Sequence, residues 1–258
     1  MTASTLVSLK DVSKVFANGV AALDHFSLDI REGDFLSLLG PSGCGKSTVL
    51  RLIAGLADPT SGSVAWTGPS GMDHRGEVGF VFQEPTLMPW ANVADNVWLP
   101  LRLRGLSRRE AKDRIAESLA LVGLKDFAKA YPRELSGGMR MRVSIARALS
   151  VKPRLLLLDE PFAALDEITR FRLNDDLLKL QSDLFCTIVF VTHSVYESAY
   201  LSNRIAILSP RPGRVVTEIA APPSSVRGGD FRTSQAYAEL CRHVSQALTS
   251  TLKDERPR

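Results

Sequence analysis

Gly40-Pro-Ser-Gly-Cys-Gly-Lys-Ser47, entered through the apolar run Phe35–Leu39, decides how the rest of the chain is read. Its spacing is a glycine, four residues, then Gly-Lys-Ser. Glycines let the backbone curl until its N–H groups converge on phosphate oxygens. The apolar run before it and the helical pattern Ser47–Ala54 after it, closed by Gly55, give the strand–loop–helix setting in which this spacing binds phosphate. The helix start adds a favourable field for anions. Gly40, Pro41, Ser42, Gly43, Cys44, Gly45, Lys46, Ser47 and Thr48 are therefore expected to cradle a nucleotide. Lys46 would reach the β- and γ-phosphates, and Ser47 would place its hydroxyl on Mg²⁺. Cys44 reads first as a small residue tolerated in the loop, and alternatively as a thiol whose alkylation would block nucleotide binding.

Arg154-Leu-Leu-Leu-Leu-Asp159 supplies the second half of such a site. Four leucines in a row suit a strand buried on both faces, and the strand ends in a carboxylate. Ligands of α/β sheets gather at the carboxyl ends of strands. Asp159 is expected to hold Mg²⁺ through water. Glu160, the next residue, would accept hydrogen bonds from an attacking water and orient or deprotonate it. By itself an Asp-Glu pair is a solvated strand end; an upstream phosphate loop makes it chemistry.

Working outward, Val78–Phe82 and Thr187–Val191 are further short apolar runs, and Asp166–Leu180 and Ser194–Leu201 read as helices. Ser194-Val-Tyr-Glu197 has the capping-box spacing. The alternation predicts an α/β fold with crossover helices over a parallel sheet. From about residue 90 to 149 the strand signal fades. Ser107-Arg-Arg-Glu110 is another capping box, opening a helix to about Val122, and a second helix follows Gly138 with Met141, Ile145 and Leu149 on one face. This stretch is expected to be a helical insert. Ala206–Leu208 and Arg214–Ile219 read as strands around Pro210-Arg-Pro-Gly213, Pro222–Asp230 as a linker, and Ser234–Leu252 as a last helix.

The bulk numbers exclude more than they specify. The 258 residues are 45% hydrophobic and 23% charged, with a formal charge of +4. That basic excess is too small to argue for nucleic acid. No apolar run is long enough for a bilayer, and the first residues lack the pattern of a signal peptide. Three scattered cysteines fit a reducing compartment and no zinc site.

Leu135-Ser-Gly-Gly-Met139 settles the family reading. Alone it is a short Ser/Gly turn capping a helix. Lying between the phosphate loop and the Leu-Leu-Leu-Leu-Asp-Glu strand, it resembles the signature motif of ABC transporter ATPases. The resemblance runs from about Val7 to Val216, with the motifs in the family's order. It implies a P-loop NTPase (RecA-like) core with a parallel sheet, an antiparallel β edge subdomain and a helical insert carrying the signature. The cassette would occupy residues 1–222, with a C-terminal linker and helix over 223–258.

The remaining roles follow from that resemblance. Gln83 is similar to the Q-loop glutamine that contacts Mg²⁺ and the attacking water. Ala164-Leu-Asp166 resembles the D-loop, His193 the switch histidine at the γ-phosphate, and Phe16 the aromatic that stacks on adenine. Taken singly, Phe16 also reads as a core residue, and His193 more often as a strand-end histidine with no catalytic role. Ser136, Gly137 and Gly138 would bind phosphate on the nucleotide of a second copy, since family members pair head-to-tail. The resemblance further implies two transmembrane permease subunits, a solute-binding protein acting indirectly, and a peripheral place on the cytoplasmic face of the inner membrane. The apolar loop Glu84-Pro-Thr-Leu-Met-Pro-Trp90 would dock a permease or pack on the insert. Gly138-Met-Arg-Met-Arg142 and Ser209-Pro-Arg-Pro-Gly213 resemble the nitrate/sulfonate/taurine importer group. A non-transport ABC ATPase acting on nucleic acid or ribosomes is the competing reading. Such proteins usually carry paired cassettes, coiled coils or zinc insertions, none of which is seen in the sequence.

Overall fold

The computed structural model describes residues 4–67, 74–222, 227 and 230–253. The chain forms two compact units, one from Met1–Arg75 with Thr187–Arg258, the other from Gly76–Cys186.

In the first unit β1 (Thr5–Val15), β2 (Ala21–Arg31) and β4 (Ser61–Trp66) make an antiparallel sheet in the order β2-β1-β4. This is the expected antiparallel subdomain. β3 (Phe35–Leu39) is buried along its whole length, as its apolar run requires. It pairs in parallel with β7 (Thr187–Thr192) on one side and β8 (Arg204–Leu208) on the other. β9 (Val215–Ala220) then closes antiparallel on β8. α1 (Lys46–Ile53) follows β3, and α6 (Val195–Leu201) follows β7.

The last helix, α7 (Gln235–Lys253), belongs to this unit's core. Leu240, Val244, Ala247 and Leu248, spaced to share one helix face, pack on Leu39, Ile205, Ile207 and Ile219. Most of the expected linker Pro222–Asp230 lies outside the described residues, and so does the tail beyond residue 253. Arg227, within that stretch, is no linker residue in character. It is 8% exposed, and its guanidinium donates to the carbonyls of Tyr200, Ser202 and Pro222. Burial pulls its pKa down to about 10.

In the second unit β5 (Val78–Val81) pairs in parallel with β6 (Leu155–Asp159). Helices α2 (Val93–Leu103), α3 (Lys112–Leu121) and α4 (Gly137–Leu149) fill the span expected to be helical. α5 (Glu167–Leu184) follows β6. Two capping predictions needed adjustment. Glu110 does accept from the backbone N–H and hydroxyl of Ser107, but the helix proper starts only at Lys112. Ser194 caps α6 by accepting from the Glu197 N–H at 3.3 Å, whereas the Glu197 carboxylate takes the Thr192 hydroxyl instead. The Ser194 N–H donates to the Thr192 hydroxyl at 3.0 Å.

Candidate nucleotide site

In the first unit the residues from Gly40 to Thr48 form a tight loop into α1. Gly43 and Gly45 take φ of +77° and +103°, a region costly for any side chain. Gly40 is constrained by space: a Cβ there would meet Cys44 Sγ at 3.0 Å and Leu208 Cβ at 3.1 Å. The Lys46 ammonium is 4% exposed and donates to the carbonyls of Gly40 and Pro41, both at 2.8 Å. It therefore lies inside the curl of the loop. The loop thus offers a helix N-terminus and a cation, which is the chemistry a phosphate chain requires. Cys44 is 1% exposed, so alkylation at its thiol requires the loop to open.

His193 leaves β7 where the loop leaves β3. Thr192 is in register with Leu39, so Gly40 and His193 emerge from neighbouring parallel strands at the same level. Both lie at carboxyl ends, as expected for an α/β ligand site. His193 is exposed. Phe16 lies in the turn joining β1 to β2 and is 40% exposed, with the Lys14 ammonium 5.7 Å from its ring centre. It is not a core phenylalanine.

The second unit repeats this logic. Val81 is in register with Leu158, so Gln83 and the pair Asp159–Glu160 leave adjacent strand ends. Leu155 to Leu158 are fully buried while Asp159 and Glu160 are half-buried, so the carboxylates come out of an apolar strand into a mouth. Glu160 has φ of 44°. A non-glycine residue there stores about 1–3 kcal/mol of backbone strain, a cost typically found at functional positions. Ser136 opens α4 by accepting from the Met139 N–H at 3.2 Å. Gly138 is tight: a Cβ would lie 2.7 Å from the Thr169 methyl carbon. Asp166 opens α5 in the same manner, accepting from the Thr169 N–H at 2.9 Å. That bond holds its carboxyl below the usual carboxylate range.

Two further residues shape the loop after Gln83, and sequence reading missed both. Asn96 on α2 is fully buried; its amide takes the Met88 N–H and donates to the carbonyls of Met88, Ala91 and Asn92. Arg147 on α4 donates to the carbonyls of Pro85 and Thr86 and to the Thr86 hydroxyl, between 2.8 and 3.0 Å. Thr86 itself has φ of 46°, unusual for a β-branched residue. Only its sharing a second face of the helix with Arg140 and Ser144, apart from the apolar face of Met141, Ile145 and Leu149, hinted at Arg147. Nothing local marked Asn96. Trp90, at the end of this loop, stands 77% exposed.

Comparison with known proteins agrees with this geometry. The family described as "ABC transporter" matches residues 23–163. An uncharacterised ABC transporter ATP-binding protein of Methanocaldococcus jannaschii is 46% identical over 252 residues, covering 96% of this chain and 92% of the relative. A taurine import ATP-binding protein of Rhizobium johnstonii is 43% identical, covering 92% of each. Among solved structures, the dimeric post-hydrolysis state of the ATP-binding cassette MJ0796, bound to ADP and Pi, superposes with a TM-score of 0.74 at 36% identity, covering 84% of this chain and 100% of that one. The chain belongs to the ABC transporter family, as an ATP-binding subunit. It is an ATPase that powers transport.

Proposed function

We propose that this chain drives a membrane importer for a small solute of the nitrate, sulfonate or taurine kind. The single observation that carries the ATPase chemistry is the strained, half-buried Glu160 at the mouth of a fully buried strand, directly after Asp159. Lys46 and the loop N–H groups take the phosphates, and Phe16 takes the adenine face. Ser47, Gln83 and, through water, Asp159 would hold Mg²⁺. Mg²⁺ characteristically takes few protein ligands beside phosphate and water, so this hydroxyl–carboxylate–amide set suits it. Among the described residues no group of three or more His, Cys, Asp and Glu converges as a protein-only metal cage. The bound ion would neutralise charge on the phosphates. Glu160 accepts a proton from the attacking water, Gln83 orients that water, and His193 donates toward the γ-phosphate.

Ser136, Gly137, Gly138 and Asp166 serve the nucleotide of a second, head-to-tail copy. The dimeric form of MJ0796 supports this reading. Residues 1–222 carry the cassette, and 223–258 form an appended segment. Among the described residues no helix is long and apolar enough to cross a membrane. In this reading the subunit sits peripherally on the cytoplasmic face, bound to two permease subunits that receive solute from a binding protein, a place supported by its similarity to import ATP-binding proteins. The exposed Trp90 and its loop are the permease contact. Relatives that import aliphatic sulfonates (Bacillus thuringiensis, 41% identical) and taurine support the cargo class.

The test is Glu160→Gln in the assembled transporter. It retains ATP binding while turnover falls at least about 100-fold, the range for losing a general base. Near-normal hydrolysis in that variant removes Glu160 from this role.

A further inference from the structure

The turn joining β8 to β9 lies against the phosphate loop. A Cβ on Gly213 would come within 2.1 Å of the Cys44 carbonyl oxygen, so the turn's backbone abuts the loop directly. The turn is itself well fixed. Gly213 donates its N–H to Ala22 O at 2.9 Å, and Gly213 O accepts from the Asp24 N–H at 3.2 Å. Ser209 Oγ donates toward the carbonyls of Pro210 and Pro212 and accepts from the Arg214 N–H at 3.0 Å. Arg214 pairs with Asp24. From this anchored turn Arg211 extends its guanidinium over the loop apex, where Nε donates to Gly43 O at 3.0 Å.

That one bond has geometric leverage. In a trans peptide the C=O and the following N–H point in opposite directions. The Gly43–Cys44 plane is therefore held from both sides: Arg211 takes the carbonyl, and the Cys44 N–H is directed at Pro41 O, 3.3 Å away. Gly43 sits at φ +77° with no side chain to restrain it. Without Arg211 the apex of the loop has one fewer constraint at its freest residue.

We propose that Arg211 is a positioning residue for the nucleotide: it pre-organises the phosphate loop at Gly43, outside the set of residues that touch phosphate. This inference rests on the reading of residues 40–48 as the nucleotide site. Pre-organisation lowers the ordering cost of binding, so its loss appears in affinity more than in the chemical step.

The experiment titrates ATP and ADP separately into the full-length chain by calorimetry, for wild type, Arg211→Met and Arg211→Lys. ATPase at varied ATP gives KM and kcat for each. Arg211→Met is expected to weaken both nucleotides roughly three- to tenfold, the size of one typical net intramolecular hydrogen bond. KM rises by a similar factor while kcat changes far less, and the melting temperature without nucleotide stays within a few degrees of wild type. Arg211→Lys recovers part of the affinity. Equal affinity in wild type and Arg211→Met overturns the inference, as does a loss matched by general destabilisation that Arg211→Lys does not relieve. Failure of the wild type itself to bind ATP overturns the nucleotide-site reading beneath it, a separate outcome.

Discussion

Asp166 illustrates how one residue can serve a family motif and local folding together. Its carboxylate caps α5 through the Thr169 N–H, and that bond depresses its pKa. A carboxyl with a lowered folded-state pKa contributes stability above its ordinary value of 3.8, and loses it as pH falls through the lower folded value. Asp166→Ala is thus expected to be less stable than wild type at neutral pH, with the gap closing under acid. Asp166→Asn, whose amide oxygen still accepts, should show a smaller gap at neutral pH. Urea unfolding across a pH series reads both. At this scale the site was well marked in the sequence. Gly43 and Gly45 are legible because positive φ admits few residue types, and Asp159, Glu160 and Ser136 because of their place at a strand end or helix start. Asn96 carries none and Arg147 only its place on a polar helix face, since a buried amide or guanidinium is defined by partners distant in sequence.

Among the elements, β3, β6 and β7 were legible because strands buried on both faces read as unbroken apolar runs. β1 and β2 were not located, and their geometry explains this. Their pairing shifts register four times, and Asp11 and His25 sit at positive φ, so the alternation that marks a regular strand is broken. α2 was hidden by Pro100 inside it, a residue that ordinarily ends a helix. The element with most bearing on function is the loop after Gln83, tied by Arg147 to the helix that Ser136 opens. Burial lowers the Arg147 pKa, and neutral oxygens receive its donors. Arg147→Met should free Thr86 from its left-handed conformation and loosen the loop. Chymotrypsin cleavage beside the exposed Trp90 is then expected to speed up by about tenfold or more, tracking the open population. An unchanged cleavage rate shows that Asn96 alone holds the loop.

For the whole molecule, the C-terminal helix matters more than its weak sequence signal suggested. Removing residues 231–258 strips Leu240, Val244, Ala247 and Leu248 from the face of Leu39, Ile205, Ile207 and Ile219. Uncovering several large apolar side chains costs about 1.5–3 kcal/mol each. The truncated chain is expected to be insoluble or to melt well below the full chain, as differential scanning calorimetry or recovery of soluble protein would show. A truncated chain with unchanged melting would assign α7 to the surface.

The same packing carries a consequence for how the chain is made. Among the described residues β3, which leads into the phosphate loop, pairs with β7 and β8, and its Leu39 shares an apolar cluster with α7. These lie far downstream, so on a ribosome the loop's strand emerges long before anything exists to complete it. Local structure can form early, but the first unit's apolar cluster is complete only once β7, β8, β9 and α7 have been synthesised. Termination before α7 is made would leave Leu39, Ile205, Ile207 and Ile219 without that part of their apolar cover, which disfavours the entry of truncated subunits into the transporter.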